Sequence, residues 1–322
     1  MSQLVNQTDI NPKPKVKAVK LKRYLIDNYE FYLMLLPAVI FYVLFKYVPM
    51  YGVLIAFKDY NFMVGVMKSP WVGMEVFSEV VKDKTFWNAL INTLRLNILA
   101  LVIGFPAPII FALFLNEMQS SGFKKVVQSI SYLPHFLSWV IIYGLILTFV
   151  SKETGLINIL LKSVGINEVN FLQENGWWLF IYIFSSVWKE LGWSAIIYLS
   201  ALSSIDPSLY EAASIDGAGR FNNMWHVTLP GIKGTIIIIL ILNIGKVMTI
   251  GFDQPYMLGN PKVTEISTVL STYVYDMGLV RSRFSFTTAV GLFQSLVNFI
   301  LLIGADWLAK AMGEEGIFGG AR

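Results

Sequence analysis

Apolar residues in this chain gather into long runs, not into the narrow stripes of a soluble helix. Six segments are mainly apolar over the roughly 20 residues that a helix needs to cross a hydrocarbon core. They run roughly Phe31–Met50, Leu94–Leu115, Ile130–Val150, Trp177–Leu202, Thr235–Phe252 and Phe286–Leu308. Pro106 and Pro108 are expected to bend the second, and Pro134 lies near the start of the third. The pattern predicts an all-α polytopic membrane protein of about six transmembrane helices. No internal repeat and no Gly/Ser linker divides it. The expected domains are a basic tail over 1–29, one membrane domain over 30–312 and a second tail over 313–322.

Composition sharpens this. Of 322 residues, 55% are hydrophobic and only 14% charged, with mean hydropathy +0.60. Soluble domains carry about 25% charged residues. The absence of cysteine excludes disulfides, thiolate nucleophiles and Cys-ligated metals. His135 and His226 are too few for an HExxH site, and no metal site is expected. The net charge of +4 fits a cytoplasmic Lys/Arg excess better than nucleic-acid binding.

Much of that excess lies in the tail, at Lys13, Lys15, Lys17, Lys20, Lys22 and Arg23. No short apolar core with a small-residue cleavage site follows, so the first run is expected to be a retained helix. The cluster places the N-terminus in the cytoplasm, and six spans bring the C-terminus to the same side. An anionic-lipid or RNA role for the arm is the alternative to a topology determinant.

Ionisable and amide groups at membrane depth usually face the protein interior or water. Arg95, Asn97, Lys189, Glu190, Asn243, Lys246, Gln294 and Asn298 are such groups. They could line one polar cavity shared by the second, fourth, fifth and sixth spans, or serve as helix–helix glue. Lys189 and Glu190 are adjacent and point in different directions on a helix.

The connection over about 203–234 carries the most specific pattern. Asp206-Pro207 supplies an N-cap and a first helical position, and Ser208 with Glu211 offers a competing capping box. Ala212 and Ala213 keep the surface small, and Gly217 provides a left-handed stop. Phe221, Met224, Trp225 and Thr228 recur at helical spacing, and Leu229-Pro230 is expected to end that second helix. Physically, such an element suits either docking to another protein or resting on the bilayer.

Glu211-Ala212-Ala213, with Asp216-Gly217-Ala218 and then Val227-Thr228-Leu229-Pro230, resembles the EAA loop of type I ABC importer permeases. The usual pattern has Ile at the place of Val227. Phe252 to Leu258 resembles the matching segment of carbohydrate permeases. Pro49 to Gly52, Ala56 to Tyr60 and Ser69 to Gly73 resemble the LplB-like branch. The resemblance implies a cytoplasmic EAA coupling loop, with Glu211 anchoring to an ATPase groove, the alanines permitting close packing and Gly217 making the turn. It also implies a second permease subunit, two ATPase subunits, an extracellular solute-binding protein and a prokaryotic cell membrane. The expected substrate is an oligosaccharide or polysaccharide fragment. This chain lacks GxxxxGK[ST], so ATP and Mg are expected on the partner and no cofactor on this chain. A permease for another solute, a gradient-driven carrier or channel, and a membrane enzyme are the competing readings.

Overall fold

The computed structural model describes Tyr24 and residues 26–311; the basic cluster Lys13 to Arg23 and residues 312–322 lie outside the described residues. Among the described residues the regular structure is helical, with one isolated antiparallel bridge between Lys58 and Trp71. The chain forms two compact units, Met1–Val53 and Leu54–Arg322.

In the first unit, α1 (Tyr29–Tyr42) continues through a wider π turn at Val43–Tyr47. Neither segment has a buried residue. Apolar side chains point all round, with Phe31, Met34 and Phe45 exposed. A helix of that kind needs lipid or another chain around it.

In the second unit, α2 (Lys84–Leu99) starts where the Asp83 carboxylate accepts a hydrogen bond from the Thr85 N–H at 2.7 Å. Its start lies well before Leu94, because that cap nucleates the helix outside the apolar run. A π turn at Ala100–Gly104 joins it to α3 (Pro106–Glu117). Lys84–Glu117 is one continuous candidate span of 34 residues. The widened turn accommodates Pro106 and Pro108, whose missing N–H groups leave backbone carbonyls without donors.

The expected third span is broken. α4 (Ser121–Tyr132) and its 3-10 extension Leu133–Phe136 meet α5 (Trp139–Val150) at 106°. Pro134 tightens the first helix into its final turn, and the Ser138 hydroxyl caps the next by accepting from the Ile141 N–H. α6 (Asn175–Ser203) spans 29 residues. α7 (Pro207–Ile215) follows, and α8 (Lys233–Ile244) departs at 60° from the helical segment Arg220–Gly231. That segment passes through Pro230 without ending at Leu229. The expected fifth span to Phe252 in fact stops at Ile244, where the backbone turns at Gly245. α9 is Phe284–Ala311.

By length and composition three helices among the described residues can cross a membrane singly, or up to five spans if each bent pair counts as one. α6 has the length, but Lys189, Glu190 and its tryptophans lower its hydropathy. α6 is the organising helix. Trp178 and Tyr182 pack with Leu96 of α2, while Ala195, Tyr198 and Leu202 pack with Ala112 and Leu113 of α3. Gly192 lets α6 approach the α4 backbone: a Cβ there would stand 2.2 Å from the Ser131 carbonyl oxygen. Only glycine permits that approach.

Candidate functional site

A cavity of about 460 Å³ opens between α2, the π turn, α3, α6 and α8. Its polar wall comes from α6, where Ser186, Glu190 and Ser194 recur every four residues on one face. Asn97 faces them from α2, and Asn243 and Lys246 from the end of α8. Leu101, Phe105 and Val187 supply apolar surface. Four of the eight polar residues singled out in the sequence therefore meet here: Asn97, Glu190, Asn243 and Lys246. Arg95, Lys189, Gln294 and Asn298 lie outside the cavity wall.

Three of those four satisfy broken backbone. Non-helical backbone at membrane depth is tolerated only where other groups saturate it. After α8 ends, the Gln294 side-chain amide donates to the Met248 carbonyl at 2.5 Å. Asn298 accepts from the Met248 N–H at 3.1 Å and donates to the Thr249 hydroxyl at 2.8 Å. Asn97 adds a bond to the Val247 carbonyl at 2.8 Å, so it both braces the turn and lines the cavity.

Lys189 does the same at the other break. It is buried, and its ammonium donates to the carbonyls of His135 at 2.6 Å and Leu137 at 2.7 Å, with Pro134 at 3.4 Å. These are carbonyls that the end of a helix leaves unpaired. Arg95 is exposed beside the buried Leu96.

Glu190, next to Lys189, meets the same His135 through its side chain. Its carboxylate lies 3.0 Å from His135 Nδ1. The His135 ring stacks on Trp193, 4.4 Å between centroids and 3° from parallel. The sequence reading overlooked His135, Ser186, Ser194 and Tyr198; the four-residue spacing through Glu190 was the available signal for the serines.

The second notable element is the connection between α6 and α8. Asp206 caps α7, accepting from the Ser208 N–H at 2.9 Å, so the Asp–Pro start prevails over the Ser208/Glu211 box. That bond holds the Asp206 carboxyl below the usual aspartate range. Gly217 adopts φ +78°, and the Ala218 N–H returns to the Ala213 carbonyl at 2.9 Å. This closes the helix C-terminus. Glu211, Ala212, Asp216 and Pro230 are exposed; Ala213, Ala218 and Leu229 are half-buried. Ile215 is 86% and Phe221 71% exposed, and Phe221 stacks on Trp225. Met224 and Leu229 turn inward against the α3–α6 core, and Tyr210 bonds buried Thr228 at 3.1 Å. The element is thus fixed to the helix ends while its apolar side faces out.

Residues 104–314 match the family described as binding-protein-dependent transport system inner membrane component. The chain belongs to that family. Among its relatives, the polygalacturonan/rhamnogalacturonan transport system permease protein YteP of Bacillus subtilis is 47% identical over 94% of this chain and 95% of its own. Protein LplB of the same organism is 44% identical over 89% of this chain and 90% of its own. A bacterial alginate ABC transporter, solved in complex with alginate pentasaccharide-bound periplasmic protein, contains a chain that superposes with TM-score 0.85. Its identity to this chain is 38%, covering 93% of this chain and 100% of that one. As a member of this family, the protein is a multi-pass membrane component of a transport system.

Proposed function

We propose that this protein is the permease subunit of an ATP-driven importer for a carbohydrate, an oligosaccharide or polysaccharide fragment. The observation that carries the reading is the polar cavity between α2, α6 and α8, bounded by a stretch of non-helical backbone. Non-helical backbone beside a polar cavity is how many secondary transporters build substrate sites, and the same physics applies to any membrane pathway. Its mixture of amide, hydroxyl and apolar groups suits a sugar, which presents hydroxyls and C–H faces. The names of YteP and of the alginate transporter support the same substrate class.

In this reading six spans cross a prokaryotic cell membrane with both tails cytoplasmic. α6 and the two bent pairs join the three unbroken spans, and the membrane domain occupies 30–312. The exposed α7 element is the coupling loop. Glu211 anchors it to an ATPase, Ala212 and Ala213 allow close packing, Asp216-Gly217-Ala218 form the turn, and Leu229-Pro230 lead back to the core. Two ATPase subunits hold ATP and Mg, a second permease subunit completes the pathway, and a solute-binding protein delivers substrate. The exposed apolar face of Ile215 and Phe221 supports this docking role.

The test is co-purification from native membranes in mild detergent. A second permease and an ATPase are expected with the wild-type chain, and the ATPase is expected to be lost in Gly217→Asp and Glu211→Lys while membrane insertion persists. Uptake that survives ATP depletion with the ion gradient intact would instead establish a gradient-driven carrier.

A further inference from the structure

The cavity wall carries one acidic and one basic side chain, and they are engaged unequally. Glu190 is engaged: His135 lies 3.0 Å from its carboxylate, and Trp193 fixes the plane of that imidazole. Lys246 is exposed on the cavity wall, and its Nζ makes no hydrogen bond or ion pair with any described residue. The amide nitrogens of Asn97 and Asn243 are spent on the carbonyls of Val247 and Ile239, at 2.8 and 2.9 Å. That leaves the amide oxygens of these two cavity-lining residues as free acceptors. The wall thus offers acceptors for hydroxyl groups and one uncommitted cation.

We propose that the cavity takes a carboxylate-bearing, uronate-type saccharide and that Lys246 is the residue that selects it. The inference rests on the carbohydrate-permease reading. An ammonium against a low-dielectric wall gains most from a ligand anion, because the Coulomb term is large there and the hydrogen bond is charge-assisted. The Asn97 and Asn243 oxygens accept the hydroxyls of adjoining rings, and Leu101, Phe105 and Val187 cover C–H faces. Glu190 lines the same cavity with one oxygen bonded to His135, and its carboxylate works against an acidic ligand, so the selection is carried by Lys246.

The experiment uses the complete transporter in lipid nanodiscs, without its binding protein, so that the cavity alone selects. The probes are tri-galacturonate and its carboxyl-reduced neutral counterpart, measured by equilibrium dialysis. The wild type is expected to bind the acidic probe more tightly. Lys246→Gln is expected to weaken the acidic probe about tenfold or more, leave the neutral probe within about twofold, and be largely rescued by Lys246→Arg. Glu190→Gln is expected to leave acidic binding equal or tighter. A wild type that prefers the neutral probe, or a Lys246→Gln effect equal on both probes, overturns the selection while leaving the carbohydrate reading intact. Failure of the wild type to bind either saccharide defeats both.

Discussion

The Lys189 ammonium stands 2.6 Å from the backbone carbonyl of His135, a residue 54 positions earlier on a different helix. One turn of α6 thereby holds the bend between α4 and α5 in two ways, through the backbone by Lys189 and through the imidazole by Glu190. Adjacent residues on one helix hold the same bend from different surroundings: Lys189 is buried, and Glu190 faces the cavity.

Lys189→Met should therefore destabilise the fold and not merely alter transport. It leaves two close carbonyls without their donor, a loss of about 2 kcal/mol or more. Thermal denaturation of the purified protein in detergent should show a lower midpoint, and Lys189→Arg should recover part of it. An unchanged midpoint for Lys189→Met would remove the bracing role.

Gly192→Ala should be far more costly than Gly144→Ala. The first places a Cβ 2.2 Å from a backbone oxygen of α4, whereas the second meets nothing within 4 Å. Separation of α4 and α6 should cost about 1–3 kcal/mol by the usual penalty for overpacking. Folded yield by size-exclusion fluorescence should fall for the first variant alone.

Gly217→Ala isolates a backbone effect. Its Cβ would meet nothing within 4 Å, but φ +78° is unfavourable for an L side chain. The cost should be about 1–2 kcal/mol, confined to the α7 terminus. The expected outcome is weakened ATPase retention on co-purification with an unchanged global melting point.

Asp83 predicts an acid-sensitive step. Burial pushes its carboxyl up, but hydrogen bonds from the Tyr273 hydroxyl and the N–H groups of Thr85 and Phe86 outweigh this, so it lies below the usual value of 3.8. Tyr273 is pushed up in turn by burial and by the Asp83 bond. A depressed folded-state value stabilises above the unfolded value and loses that contribution as pH falls through the folded one. Asp83→Asn should therefore be less stable than wild type at neutral pH, and the gap should close below about pH 3.8. A gap independent of pH would show that Asp83 acts only as a neutral cap.

Much of the site was legible because its residue types are costly in a membrane. Polarity at depth singled out Asn97, Glu190, Asn243 and Lys246, which the fold brings to one cavity. It singled out Gln294 and Asn298 equally, since an amide bracing a broken backbone and an amide facing a cavity look alike in sequence. The brace exists only because α8 stops at Ile244, and the apolar run beyond it gave no sign of that stop.

The sequence by itself determined the all-helical membrane class, the approximate place of the long helices and the left-handed Gly217. These depend on hydropathy and on local backbone preference, which act over a few residues. The tertiary structure decided how the 106° break before α5 is held and which polar groups share a space. Those outcomes depend on partners far apart in the chain. Lys189 and Glu190 took different roles because successive side chains on a helix face different neighbours, and only the packed fold supplies those neighbours.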